Sequence, residues 1–284
     1  MKIINLFIYP IKSCQGISLT KAEITPKGLR DFFQPTFYDR QFMLVDKNGK
    51  FLTQRQHPQL ATIRVTINEN KLYLRTENVN ISEFELIPDD NKKEIEVNIW
   101  RDSTIAIDQG DEVANWFTEA LKIDKSCRLV QQSNKHIRPI NRQYSTQENQ
   151  PVSFSDGFPF LLTNTGSLDE LNRHLQTKYP ANQLVIKMEC FRPNIVVETS
   201  DPFIEDTWQK IQIGNVNFDI VKPCSRCIVT TTDQKTGQVD RTKEPLLTLS
   251  SFRNTPDGIM FGQNMIAQNE GIVNIGDNLT VQNS

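Results

Sequence analysis

Alternation of apolar and polar residues, the period of a half-buried strand, dominates the first hundred positions. Ile4, Leu6 and Ile8 alternate with Asn5, Phe7 and Tyr9, so Met1 to Ile11 reads as a strand entering a fold. Asn48-Gly49 lies between Phe42–Asp46 and Lys50–Thr53, the dipeptide that best suits a two-residue hairpin. Ala61–Ile67 and Lys71–Arg75 predict a second hairpin, with Ile63, Val65 and Ile67 on one face answered by Leu72 and Leu74. Glu94–Trp100 predicts a further strand through Ile95, Val97 and Ile99. The period then changes. Val113, Trp116, Phe117, Ala120 and Leu121 share one face of a helix over Asp111–Lys122, with acidic residues in its first turn.

Cys127–Gln131 predicts a strand, and Gln132–Val152 is polar enough to be a long loop. Pro159–Thr163 is apolar and predicted to be buried. Ser167-Leu168-Asp169-Glu170 fits a capping box opening a helix that stops before Pro180. Beyond it only strand signals follow: Asn194–Glu198, Trp208–Ile213, Asn217–Lys222, Cys227–Asp233, Ile259–Phe261 and Ile272–Val281. Gly214-Asn215 and Lys235-Thr236-Gly237 supply turns. The expected fold is mostly β (α+β), an antiparallel barrel or sandwich with two or three helices.

Composition narrows the partners. A net charge of -2 and a pI near 6.0 exclude the basic face of a nucleic-acid binder. No run of about 18 apolar residues is present to span a bilayer, and the apolar N-terminus is too short for a signal peptide. The reading is a cytoplasmic protein with no membrane and no nucleic-acid partner. Five cysteines, an odd number, do not suggest a disulfide framework and turn attention to metal or redox chemistry.

The sharpest chemical feature is Lys222-Pro223-Cys224-Ser225-Arg226-Cys227. Pro223 should interrupt strand pairing before the first thiol. Arg226 places a fixed positive charge beside both thiols, and positive charge favours the thiolate that ligates metals. Cys227 should sit where loop becomes strand. Spacing alone leaves three readings open: half of a zinc site lacking a second pair, a dithiol redox pair, or two buried structural cysteines. Tyr9-Pro10-Ile11-Lys12-Ser13-Cys14, Phe191-Arg192-Pro193-Asn194 and Phe154-Ser155-Asp156-Gly157-Phe158-Pro159-Phe160 add cations, a carboxamide, hydroxyls and a carboxylate. A snorkelling lysine, a surface arginine and an Asp-Gly turn would explain each of these separately.

Taken together the segments resemble the MOSC superfamily, most closely the subgroup with an N-terminal β-barrel: the mitochondrial amidoxime-reducing component and its bacterial relatives. The resemblance runs from Tyr9–Gly16 through Gly28-Leu29-Arg30, Asp39-Arg40, Thr53-Gln54-Arg55, Phe154–Phe160, Phe191–Val196 and Cys224–Thr231. It continues through Lys243–Leu246 and Phe261–Asn264 to Ile275-Gly276-Asp277. It implies an N-terminal MOSC β-barrel domain over 1–120 and a MOSC domain over 121–284. The resemblance further implies a molybdenum cofactor, whose metal is ligated by Cys227, the second cysteine of C-x-R-C; Cys224 becomes a packing residue. Lys12, Ser13, Arg40, Arg192 and Asn194, with the stretch around Asp156–Phe160 (Gly157, Phe158, Pro159, Phe160), would hold the cofactor. Ser155, Arg226 and Thr230 would line the same pocket, and Asp156 would handle protons near the metal.

The activity implied is reduction of N-hydroxylated compounds, such as amidoximes and hydroxylaminopurines, with detoxification as its theme. Pyridoxal phosphate binding is a further expectation carried by the resemblance. The mitochondrial relatives carry an N-terminal targeting and anchoring segment, whereas this chain starts at its first strand. No cysteine follows Cys227, so the C-terminal iron–sulfur cluster of some bacterial relatives has no ligands here. Electrons would come from a separate protein, a flavin reductase or a ferredoxin. The alternative function is a molybdenum-cofactor or sulfur carrier without reductase activity of its own.

Overall fold

The computed structural model describes residues 1–123, 127–145, 148–181 and 184–282. Among them the largest sheet has nine strands. Eight run in the order Leu279–Gln282, Lys210–Ile213, Val216–Ser225, Gly258–Ala267, Phe160–Asn164, Ile195–Glu198, Lys2–Ile8 and Ile17–Leu19, and Asn254–Thr255 pairs with Gly258–Ala267. All pairings are antiparallel except that of Phe160–Asn164 with Ile195–Glu198, which the helix Thr165–Lys178 connects. A four-stranded sheet orders Phe42–Val45, Arg128–Gln132, Asp102–Asp108 and Glu94–Ile99. Two three-stranded sheets complete the fold, one of Gly271–Asn274, Lys21–Thr25 and Gly28–Asp31, the other of Arg64–Asn68, Lys71–Arg75 and Phe84–Leu86. With three α-helices the mostly β expectation holds.

The two ends of the chain are interleaved. The strand Lys2–Ile8 lies between two partners, antiparallel to Ile195–Glu198 and to Ile17–Leu19. A register shift between Ile3 and Asn5 alters the simple alternation predicted for it. Ile3, Leu6 and Ile8 therefore enter the main core, while Ile4 and Phe7 pack on the opposite side against the cluster around Phe191 and Phe261. The strand Gly271–Asn274 likewise returns to pair with Lys21–Thr25.

The helix Asp111–Leu121 forms where predicted and buries Val113, Trp116, Phe117, Ala120 and Leu121 in the second core. Elsewhere hydroxyls and carboxamides override the local pattern. The helix after Phe160–Asn164 starts at Thr165, so the capping-box assignment at Ser167 is wrong. Asn164 is the cap, its Oδ1 accepting from the Ser167 amide at 2.7 Å, and the Ser167 hydroxyl is spent on the buried Glu205 carboxylate at 3.1 Å. The strand expected over Cys227–Asp233 is instead a 3-10 turn over Ile228–Thr231. Thr230 Oγ1 donates to the Cys227 carbonyl at 2.9 Å and Thr231 Oγ1 to that of Ile228 at 2.8 Å, closing a β-branched run into a turn.

Pro223 does not end its strand. Val216–Ser225 continues past it, Pro223 lying opposite Gln263 beside a register shift that accommodates the missing N–H. Ala61 and Thr62 belong to a 3-10 turn over Pro58–Thr62, so the predicted hairpin begins at Arg64. Ile272–Val281 divides into two strands, and a short helix at Leu246–Ser250 has no counterpart in the predicted elements.

Burial pushes the Glu205 carboxyl up to about 7, only partly offset by the Ser167 hydroxyl. A carboxyl raised in the folded state binds its proton more tightly there than when unfolded, so its penalty is absent below the unfolded value and grows as pH rises toward 7. Glu205→Gln, isosteric with the protonated form, should raise unfolding stability at pH 8 by up to about 3 kcal/mol and leave it nearly unchanged at pH 4. Denaturant melts of both chains at the two pH values check this.

Candidate functional site

Pairing between distant segments assembles the site. Arg40 N–H donates to the Tyr9 carbonyl and Lys12 N–H to that of Phe42, both at 2.8 Å, which sets Lys12 beside Arg40. Phe154 N–H donates to the Arg40 carbonyl at 3.0 Å, adding the loop with Ser155 and Asp156. Asn194 exchanges backbone bonds with Phe7 and Leu161, and Arg226 N–H donates to Ile259. These contacts enclose a cavity of about 320 Å³.

Lys12, Ser13, Arg40, Ser155, Asp156, Gly157, Phe158, Arg192, Asn194, Arg226 and Cys227 line this cavity, as does Thr230. Pro159 and Phe160, expected among them, do not. Phe160 is 1 % exposed in the main core, edge-on to Phe218 at 5.4 Å, because it begins the buried strand. The Pro159 carbonyl packs 3.1 Å from where a Cβ would stand on Gly28, whose φ of +131° also favours glycine. Its backbone thus serves packing between segments.

Charge is the cavity's main property. Lys12, Arg40, Arg55, Arg192, Lys222 and Arg226 line it against one carboxylate, Asp156, in a chain of net charge -2. Asp156 Oδ1 accepts from Lys12 Nζ at 2.5 Å and from Trp100 Nε1 at 3.2 Å. Lys12 also donates to the Phe154 carbonyl at 2.8 Å. Its side chain is 8 % exposed whereas that of Asp156 is 67 % exposed, so the carboxylate faces the open cavity and the ammonium lies behind it. Desolvation by the surrounding cavity walls opposes ionisation of Asp156, but the Lys12 ammonium overrides it and holds the carboxyl below the usual carboxylate range. Burial pushes the Lys12 ammonium down, with Asp156 opposing.

Arg40 and Arg192 each place Cζ 4.2 Å from the centroid of the Tyr9 ring. Arg40 Nη1 is fixed by the buried Asp39 at 2.5 Å, and its Nη2 donates to the Arg192 carbonyl at 3.1 Å. Arg192 Nη1 donates to Gln234 at 3.1 Å, whereas its Nη2 and the Nε of Arg226 are buried without a partner. Burial pulls Arg192 down to about 10, and Arg40 adds repulsion. Buried, unpaired guanidinium donors beside like charges are costly unless an anion completes them.

Arg226 acts electrostatically on both Cys224 and Cys227, as its place in the chain suggests, but its hydrogen bond goes to Cys224. Arg226 Nη1 donates to Cys224 Sγ at 2.9 Å and its Nη2 to the Phe191 carbonyl at 2.5 Å. Arg55, 172 residues away in the chain, donates to Cys227 Sγ at 3.2 Å. Arg55, Trp100 and Asn264 line the cavity from outside the chemical motifs of the sequence, and Phe191 and Lys222, which open two of those motifs, line it without an expected role. Arg55 was visible only as the end of Thr53-Gln54-Arg55. Arg138, inside the long polar loop, is 4 % exposed and donates Nη1 to the Ser153 and Ser155 carbonyls at 2.9 and 2.7 Å, bracing the loop that carries Asp156.

Cys227 is half-buried, and among the described residues no group of three or more His, Cys, Asp or Glu could hold a metal ion. The zinc reading therefore lacks ligands. A metal at Cys227 would bring most of its own ligands, and an anionic ligand frame suits the cationic walls.

The MOSC N-terminal beta barrel domain model matches residues 1–124 and the MOSC domain model residues 149–280. The chain is similar to mitochondrial amidoxime reducing component 2 of Rattus norvegicus, at 36% identity over 96% of this chain and 81% of the relative. It is similar to mitochondrial amidoxime-reducing component 1 of Homo sapiens, at 34% over 97% of this chain and 81% of the relative. The chain belongs to the MOSC family of amidoxime-reducing components.

This MOSC protein also matches molybdenum cofactor sulfurase of Oryza sativa subsp. japonica, at 33% identity over 91% of this chain but 31% of that relative. The relatives' names tie the family to amidoxime reduction and to the molybdenum cofactor. Among the described residues of the MOSC chain no helix is long and apolar enough to cross a membrane.

An anion that completes the cavity should stabilise the folded chain. Pyrophosphate is expected to raise the thermal midpoint of the cofactor-free protein. Arg192→Met should weaken pyrophosphate binding by about 10- to 100-fold, since one charge-assisted donor is worth about 1.5–3 kcal/mol. Calorimetric titration and melting curves with and without pyrophosphate test it.

Proposed function

We propose that this protein is a molybdenum-cofactor-dependent reductase of N-hydroxylated compounds, supplied with electrons by a separate donor protein of the flavin-reductase or ferredoxin type. The observation that carries the reading is the Cys227 thiol, which with Cys224 lines a cavity walled by six cations drawn from distant parts of the chain and accepts from Arg55. When bound, the cofactor supplies the two-electron chemistry that cleaves the N–O bond. Two electrons and two protons enter, and the N–H product and water leave.

The protein's own contribution is binding and orientation. Cys227 offers one soft sulfur ligand. Arg40 and Arg192, stacked on Tyr9, offer guanidinium forks to phosphate and to polar heterocycle edges, and Lys12 offers a point charge. Asn194 is committed to the backbone: its Oδ1 accepts from Leu161 N–H at 3.1 Å and its Nδ2 donates to the Phe7 carbonyl at 3.2 Å. It thereby fixes the strand start beside Arg192. Asp156, ionised beside Lys12, orients Lys12 and Trp100 and is poorly suited to donate a proton at neutral pH.

The test is molybdenum content and turnover of an amidoxime by chain expressed in a host that makes the cofactor, with a chemical reductant in place of the donor. Cys227→Ser should lose at least about a hundredfold in rate, since even residues that only support a metal ligand cost 10–100-fold. Cofactor binding without turnover would favour the carrier reading, which the similarity to the sulfurase keeps in view. Absence of molybdenum from the wild-type chain would overturn both.

Asp156→Asn should lower the rate without moving any limb of the rate–pH profile between pH 5 and 8, because the carboxyl titrates below that window. Disappearance of such a limb in the variant would restore the proton-handling role.

A further inference from the structure

Trp100 sits at the tip of the hairpin between Glu94–Ile99 and Asp102–Asp108, where Ile99 pairs with Asp102. Only Trp100 and Arg101 make the turn, and Trp100 has a φ of +55°. A left-handed turn position favours Gly, Asn or Asp, and a bulky aromatic there is an outlier that asks for a reason. Core packing is not the reason. Trp100 is 46 % exposed, whereas the other two tryptophans, Trp116 and Trp208, are 8 % and 5 % exposed.

The indole is nevertheless held in place. Its Nε1 donates to Asp156 at 3.2 Å, Phe51 meets it edge-on at 5.0 Å, and the Arg55 guanidinium carbon lies 4.4 Å from its ring centroid. Arg138 fixes the base of the turn through Asp102 at 2.8 Å. The same Arg55 donates to Cys227 Sγ, so a single guanidinium separates the indole from that sulfur. An exposed, immobilised aromatic at the cavity wall, one side chain from the metal ligand, is positioned to receive a flat molecule approaching from solvent.

We infer that Trp100, backed by Arg55, is the specificity-determining platform on which planar aromatic substrates stack, favouring aryl amidoximes and N-hydroxylated nucleobases over small aliphatic N-hydroxylated compounds. The inference rests on the reductase reading for its choice of substrate, but the stacking itself is measurable without turnover. Stacking of a flat ring on an exposed aromatic contributes enough binding that its loss is expected to weaken affinity about tenfold.

Benzamidoxime and acetamidoxime share the reacting group and differ in the ring. Benzamidoxime should quench the tryptophan emission of the cofactor-free and the cofactor-loaded chain, because Trp100 is the exposed indole, and acetamidoxime should not. Trp100→Leu should abolish that quenching. In the loaded enzyme, Trp100→Leu should reduce kcat/KM for benzamidoxime at least fivefold more than for acetamidoxime, mainly through KM, and Trp100→Phe should recover most of the loss. Equal losses for both substrates, or quenching that survives in Trp100→Leu, would overturn the platform. Quenching by benzamidoxime with no turnover of either compound would uphold the platform and sink the reductase reading.

Discussion

The antiparallel pairing of Lys2–Ile8 with Ile195–Glu198 is the constraint on which the site depends. It lays the first strand beside one almost two hundred residues later, and one end of that pairing carries the chemistry. Tyr9, Lys12 and, through the Tyr9–Arg40 backbone bond, Arg40 emerge next to Arg192 and Asn194. Without this ladder the cations would sit on separate surfaces, where each would be solvated and ordinary. With it they share one cavity, where their mutual repulsion and partial burial make an anionic guest favourable.

Backbone geometry is bent toward the same end. Ten non-glycine residues have positive φ among the described residues, and four of them, Ser13, Arg40, Trp100 and Arg192, line the cavity. Left-handed backbone is unfavourable for such residues unless the surroundings hold it in place. Here the holding is visible: Asp39 and Tyr9 on Arg40, Tyr9 and Gln234 on Arg192, Asp156 and Phe51 on Trp100. Asp156 connects two of these groups by accepting from both Lys12 and Trp100. A carboxylate committed in this way acts as a structural hinge of the site, its charge fixed by the lysine behind it.

The family assignment and the geometry support each other from different directions. Similarity to amidoxime-reducing components covers nearly the whole chain, and the cavity draws its lining from both matched domains. The cysteine pair illustrates the division. Cys224 and Cys227 look equivalent in sequence, yet Cys224 is met by Arg226 from its own strand end while Cys227 is met by Arg55 from the N-terminal half. Both line the cavity, but of the two, among the described residues, it is Cys227 that takes a hydrogen bond from the N-terminal half.

The sequence by itself determined the periodic elements and the chemical inventory. Period-2 alternation located Arg64–Asn68, Lys71–Arg75 and Glu94–Ile99, and a single apolar face located Asp111–Leu121, because burial on one side leaves a regular trace in the order of residues. Resemblance located Lys12, Arg40, Arg192 and Cys227. What the tertiary structure decided was every outcome set by competition with a distant or local polar partner. Glu205 drew Ser167 away from the predicted cap, threonine hydroxyls folded Ile228–Thr231 out of the strand pattern, and Phe160 turned into the core. Arg55 reached Cys227 across 172 positions. Side-chain hydrogen bonds and charges act through space with no period along the chain, so their partners become legible only once the sheets have brought them together.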